Sequence, residues 1–463
     1  MSTNGQSSET DFLYTLASNG RFDRIADYVA SNEALAVRYG AAGILTEFAG
    51  DLKTAATTEL RKKLINAVLE EPDDRVRARV VEALLYIDES ILDTLVTKIA
   101  ADREPTPTDS PHPLLLVEWL GSDSVELRLL AVAGLGDVGT PSMIPKLSSA
   151  CSDTDRRVRE RALKELGRIG NPRCVEEVAD CLDSDIASIR HEAAKTLGEI
   201  NTRGAIDRLR PAARRNEDDE LRRIALDQLG AFPSSDVINT LSDGVTDENP
   251  EIQHAAASSL MELISSASFE ESHTIREEVA EEVEALDADV IPAFVTLFTD
   301  THRTTIRRNT AWLLGRIGDS QEEVVDHLLD ALSDDDFTTS QIAASSLARI
   351  GGRDIKDRLE KFIENHPEGS GPRTRAEFVL TQITEGEGGL VLERTVEYIH
   401  VSEPDDYTRQ KRAETDPAVD EIGSADTTGE GATEEPETAA EETEEPETAA
   451  EETETATAET ESG

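Results

Sequence analysis

One pattern recurs along most of the chain at intervals too short for any copy to enclose a core of its own. With Arg159 in DRRVRERALKELGRIG (155–170) as the zero position, an Arg recurs at Arg38, Arg77, Arg128, Arg190, Arg222, Arg307 and Arg373, with Gln253 and Ser340 as departures. Seven residues later a Leu stands every time, at Leu45, Leu84, Leu135, Leu166, Leu197, Leu229, Leu260, Leu314, Leu347 and Leu380. Position +3 is small, usually Ala, departing at Val80 and Thr310, and position +10 is Ile, Val, Phe or Leu. Positions −1, +3, +7 and +10 step by four, four and three, which sets them on one helical face, and a small residue on that face lets another helix come close.

Glycine follows the Leu at Gly136, Gly167, Gly198, Gly230 and Gly315. GDVGTP, GRIGNP and GEINTRG then end one helix with Gly or Asn and restart another near Pro. Each unit therefore reads as two antiparallel helices. The marker leucines are spaced 39, 51, 31, 31, 32, 31, 54, 33 and 33 residues apart. Units of this size must stack on their neighbours to bury an apolar face, and the result is an all-α solenoid, or superhelix, of about ten helix pairs. The long spacings mark insertions near 101–113, containing the proline-rich DREPTPTDSPHP, and near 265–290, containing an acidic segment expected to be helical.

The VRxxAxxxLGxIGxP pattern, clearest in VRERALKELGRIGNP and IRHEAAKTLGEI, resembles the HEAT repeat, specifically the short HEAT-like class named after phycobilisome bilin lyases. The resemblance covers roughly residues 20–385. It speaks strongly for fold and weakly for function, because one repeat serves enzymes, adaptors and inhibitors. It also implies that the marker helices line the concave side and that the zero-position arginines bond loop Asp residues between repeats.

The expected organisation is a disordered N-terminus (1–11), the solenoid (12–385), a cap or linker (386–412) and a disordered acidic tail (413–463). The tail repeats EEPETAAEET and holds 19 acids with no Lys or Arg. Such a composition cannot bury enough surface to order itself. Its expected role is solvation, with autoinhibition as the sharper alternative.

The whole chain carries −50, with 36 Arg against only 10 Lys, and the body without the tail still carries −31. An acidic, lysine-poor body resembles cytoplasmic proteins of organisms that keep molar salt inside the cell, where surface charges are screened within about 3 Å. Bulk charge argues against nucleic-acid or anionic-membrane binding, which needs cationic surface. No membrane insertion is expected either, because the apolar stretch Leu114–Val117 is far shorter than a span. The N-terminal MSTNGQSSETDF shows no signal peptide. A cytoplasmic location and reduced, core-type Cys151, Cys174 and Cys181 are the corresponding expectations.

No catalytic set stands out, and no cofactor or metal is expected. HEAT-like deoxyhypusine hydroxylases hold two metals with several His-Glu pairs, whereas His191-Glu192 is the only such pair here. The bilin-lyase reading rests on the family name alone and remains as the alternative function, a modifying enzyme built on these repeats.

Residues 156–223 carry a net +2 inside this acidic chain. Outward positions +1, +2, +5 and +9 nominate a partner-binding surface of Leu129, Leu130, Arg161, Lys164, Arg168, His191, Lys195, Arg223, Arg308, Trp312 and Arg316. Many of these charges equally suit helix-surface salt bridges. Trp312, between Arg308 and Arg316, suits an interface anchor or a core position. The leading expectation is a non-enzymatic adaptor holding another protein on its concave face. Resemblance to HEAT-like proteins of halophilic archaea implies signalling or taxis components as the partner class.

Overall fold

A computed structural model describes residues 3–386, apart from 31–32, 89, 102–111, 215–216, 269, 287–288 and 319–320. The cap or linker, the acidic tail and most of the proline-rich insertion lie outside the described residues. Every regular element among the described residues is a helix. The ten marker helices are α1 (Leu35–Glu47), α2 (Asp74–Ile87), α3 (Val125–Val138), α4 (Arg156–Ile169), α5 (Ala187–Ile200), α6 (Asp219–Leu229), α7 (Pro250–Ser266), α8 (Thr304–Ile317), α9 (Phe337–Ile350) and α10 (Gly371–Gly386).

Each marker helix packs on a first helix that precedes it and on the marker helix of the next unit, which is the stacking of a solenoid. The marker leucines from Leu45 to Leu347 are wholly buried, while Leu380, with no following unit described, is partly exposed. Local signals set the ends. The Asp155 carboxylate accepts the Arg157 N–H at 2.8 Å to start α4, and Gly170 ends it at φ 63°, where a Cβ is disfavoured. Asn201 takes the same left-handed place after α5 at φ 45°.

The zero-position arginines form a ladder. The residue six before the next unit's zero position decides whether a rung forms. Glu71, Asp153, Asp247 and Asp334 occupy that place and receive Arg38 (3.0 Å), Arg128 (2.8 Å), Arg222 and Arg307 respectively. Each carboxylate also accepts the N–H two residues on, at 2.8 or 2.9 Å, so one side chain closes its own turn and holds the preceding unit. Arg190 reaches Asp218 instead. Where the place holds Ser122 or Ser184, no rung forms: Arg77 bonds the Val68 carbonyl and Asp74, and Arg159 bonds the Asp153 carbonyl at 2.6 Å. Replacing Ser184 with Asp should supply the missing rung to Arg159 and raise stability by up to about 1 kcal/mol. An unchanged or lower thermal midpoint would count against this account of the ladder.

Four further helices depart from the two-helix plan. Thr3–Ser18 begins inside the stretch expected to be disordered and packs on α1, burying Leu13 and Ala17. Ala49–Ala55 packs on α2 and Ile91–Ala101 on α3. The acidic insertion forms Ser272–Glu284, which packs against Ser235–Val245, α7 and α8.

Candidate functional site

The marker-helix face carries a cleft of about 400 Å³ between α2, α3, α4 and the helix Ile91–Ala101. Leu92 and Leu129, 5% and 4% exposed, lie at its base with Leu85 beside them. α2 supplies Glu82 and Tyr86, α3 supplies Glu126, and α4 supplies Arg157, Glu160, Arg161 and Lys164. Tyr86 is 51% exposed, a large aromatic side chain half in water over an apolar floor. On the same face, Tyr39 of α1 is 42% exposed with the Arg79 guanidinium 6.0 Å from its ring centre.

The charges around the cleft differ in how firmly they are held. Arg161 is gripped by Glu165 at 2.6 Å and by Asp93, so the helix Ile91–Ala101 is tied across to α4. Arg157 leans on Asp155 at 3.2 Å and on Glu126 at 3.7 Å. Lys164 is exposed and has no ion pair within 4 Å among the described residues. Burial pushes the nearby Glu192 carboxyl up, and Lys164 and Lys195 oppose that rise. An apolar base with an exposed tyrosine beside it suits contact with a partner surface.

Of the residues expected at a binding surface, the structure brings Leu129, Arg161 and Lys164 together in this cleft. Leu130 is a correction: it is wholly buried in the core. Its +2 position faces the neighbouring marker helices, as Asn309 shows in α8 by donating to the Met261 carbonyl at 3.0 Å and Ser265 Oγ at 2.8 Å. Ile91–Ala101 also packs over α3, in which every residue from Leu127 to Gly136 is buried.

Several other expected residues are engaged in local pairs. Arg168 bonds Glu165 at 3.0 Å, and Arg223 bonds Glu220 at 2.7 Å and Asp227 at 2.8 Å within one helix. His191 Nε2 lies 3.0 Å from Asp218, beside Arg190. Arg308 grips Asp336 through two hydrogen bonds of 2.6 and 2.9 Å. Lys195 is exposed on α5.

Trp312 lies partly buried beneath the inserted helix. The Arg276 guanidinium sits 5.8 Å from its ring centre, and Arg316 bonds Glu277 at 2.8 Å and Glu284 at 3.2 Å. The expected surface therefore divides into the cleft, a paired stretch on α5 and α6, and a stretch of α8 covered by Ser272–Glu284. Sequence reasoning missed Tyr86, although +9 is an outward position by the repeat template. It also missed Leu92, whose helix lies outside the two-helix repeat template.

No group of three or more His, Cys, Asp or Glu among the described residues has the geometry to hold a metal ion. No helix of the described residues is long and apolar enough to cross a membrane.

The family model described as HEAT repeats matches residues 113–198, 154–225, 206–271 and 262–348, together just over half of the chain. A HEAT repeat-containing taxis protein of Halobacterium salinarum is 28% identical over 141 residues, 30% of this chain, which spans 35% of that protein's length. Among solved structures, an engineered protein superposes with a TM-score of 0.49 at 16% identity, covering 78% of this chain and 98% of that one. The complex of CpcE and CpcF of phycocyanin lyase from Nostoc sp. PCC7120 gives a TM-score of 0.30 at 19% identity, covering 61% of this chain and 99% of its own.

Proposed function

This chain belongs to the HEAT repeat family, and we propose that it is a non-enzymatic scaffold that holds a protein partner on the marker-helix face, centred on the cleft between α2, α3 and α4. The observation that carries this reading is exposed Tyr86 standing beside the apolar base formed by Leu92 and Leu129. Tyrosine offers a large contact area with few torsions to freeze, and apolar side chains at the base release water when covered. Several arginines on this face tie helices to one another, as Arg161 does with Asp93 and Arg308 with Asp336, while Arg168 and Arg223 pair within their own helices. That use favours a framework over a reaction centre.

The taxis protein of a halophile supports placing the partner among signalling or taxis components. The acidic, lysine-poor composition supports a protein that works in a salt-rich cytoplasm. In such salt, exposed charges contribute little affinity, so the apolar base and Tyr86 should dominate binding.

The test is quantitative capture from lysate of the source cells at molar KCl, comparing the native chain with Tyr86→Ala/Lys164→Glu. At least one protein should be retained stoichiometrically by the native chain and fall by tenfold or more with the variant, corresponding to about 1.4 kcal/mol. An Arg223→Glu control should retain it, and helical circular dichroism should match across all three. If every captured protein is indifferent to the cleft substitutions, the assignment of this surface fails.

A further inference from the structure

We propose that Cys151 and Cys181 are a redox-modifiable pair that closes into a disulfide between the fourth and fifth units on exposure to a low-molecular-weight disulfide. Cys151 directly follows Ile144–Ala150, the first helix of the fourth unit, and Cys181 directly follows Val175–Asp180, the first helix of the fifth. Those two helices pack side by side, and both cysteines line one cleft of about 430 Å³ together with Arg159. The cleft gives a small oxidant a route to thiols that are otherwise buried.

The two sulfurs are not equivalent. The Cys151 thiol donates to the Leu147 carbonyl at 3.8 Å and the Cys181 thiol to the Glu177 carbonyl at 3.4 Å. The neighbouring Cys181 side chain pushes Cys151 up, with burial adding to the rise. The neighbouring Cys151 side chain lowers Cys181; burial and Asp180 oppose that shift, and the Arg159 charge assists it. Cys174 is pushed up to about 11 by burial, donates to the Asn171 carbonyl at 3.0 Å and does not line the cleft. Cys181, 9% exposed against 4% for Cys151 and sharing its cleft with Arg159, is therefore the attacking thiol and Cys151 the resolving one.

The chemistry closes without other reactants. The Cys181 thiolate attacks one sulfur of the small disulfide, forming a mixed disulfide and releasing one small thiolate, which takes up the proton. Cys151, losing its proton, then attacks the Cys181 sulfur and expels the second small thiol. The protein loses two hydrogens and two electrons, and the small disulfide becomes two thiols. The resulting bond joins the first helices of the units whose marker helices carry Lys164 and Lys195, holding those units at one relative angle. This inference does not depend on the partner proposal.

The experiment exposes the full native chain at molar KCl to oxidised glutathione, quenches it with an alkylating reagent, and follows it by intact mass and peptide mapping. The expected result is loss of two of the three thiols, a mass loss of two hydrogens, no retained glutathione, a Cys151–Cys181 cross-linked peptide and alkylated Cys174. A Cys174→Ser variant should give the same cross-link, and the oxidised chain should melt at a higher temperature than the reduced chain. Retained glutathione without closure, a cross-link through Cys174, or three intact thiols under native conditions would overturn the proposal.

Discussion

Gly315→Ala should lower the thermal midpoint of this protein even though it places a better helix former in the middle of a helix. Alanine is favoured over glycine in a helix interior by about 1 kcal/mol. At Gly315 a Cβ would lie 2.3 Å from Ser346 Cβ and Oγ and 2.8 Å from Ser346 Cα. The last of these is backbone, so α8 and α9 would have to separate, loosening the 2.9 Å hydrogen bond from Ser346 Oγ to the Ala311 carbonyl. Overpacking of this kind costs about 1–3 kcal/mol.

Gly43, in the middle of α1, supplies the opposite sign. Nothing stands within 4 Å of a Cβ placed there, so Gly43→Ala should stabilise by about 0.5–1 kcal/mol. Gly167→Ala should fall between the two, because its Cβ would meet mainly the mobile end of Glu199. Thermal unfolding followed by circular dichroism in molar KCl gives the order. A midpoint for Gly315→Ala at or above that of the native chain would show that helix approach does not decide the residue at this position.

Asp218→Asn should destabilise the chain by about 2 kcal/mol at neutral pH, and the difference should close as the solution is acidified. Burial alone would raise the Asp218 carboxyl. Hydrogen bonds from Arg190, the Leu221 N–H and His191 outweigh it and hold the group at about 2, against an ordinary 3.8. A depressed folded-state value stabilises the fold above the unfolded value near 4, and that contribution is lost as pH falls from about 4 toward 2. At about 1.4 kcal/mol per unit, the expected size follows.

Asparagine keeps the capping oxygen that accepts the Leu221 N–H at 3.1 Å, so this substitution isolates the charge. Asp218→Ala should cost about 1 kcal/mol more. Denaturant midpoints at pH 7 and pH 2.5 decide the matter. The same gap at both pH values would mean that the ion pairs to α5 contribute nothing. Asp336, held below the usual carboxylate range chiefly by its hydrogen bond from Arg308, should behave alike.

Some pairings became legible only once the units were laid against one another in space. The glycine at +8 faces the +6 residue of the next unit: Gly136 meets Glu165, Gly198 meets Gln228, Gly230 meets Ser259 and Gly315 meets Ser346. The glycines were visible in the sequence as a regular column, but their partners lie in the following unit. The arginine ladder is similar. Its arginine column was visible, but Arg159, expected to bond a loop Asp of the next repeat, does not; which arginines bond a carboxylate depends on a residue 25–33 positions away, as in Arg128 with Asp153 and Arg38 with Glu71.

Periodicity by itself determined the helices, their pairing, their stacking order and the buried face apart from the +2 position, because a 31-residue unit with one apolar stripe has nowhere to bury it except against its copies. It also established the places where the pattern breaks. The tertiary structure alone decided what those breaks do. Ile91–Ala101 and Ser272–Glu284 carry no repeat signature, so no template position states where they dock. One packs on α3 and walls a cleft with Tyr86 and Leu129; the other covers Trp312. A repeat encodes contacts between equivalent positions, whereas an insertion finds its place through apolar area and charge that only the assembled neighbours present.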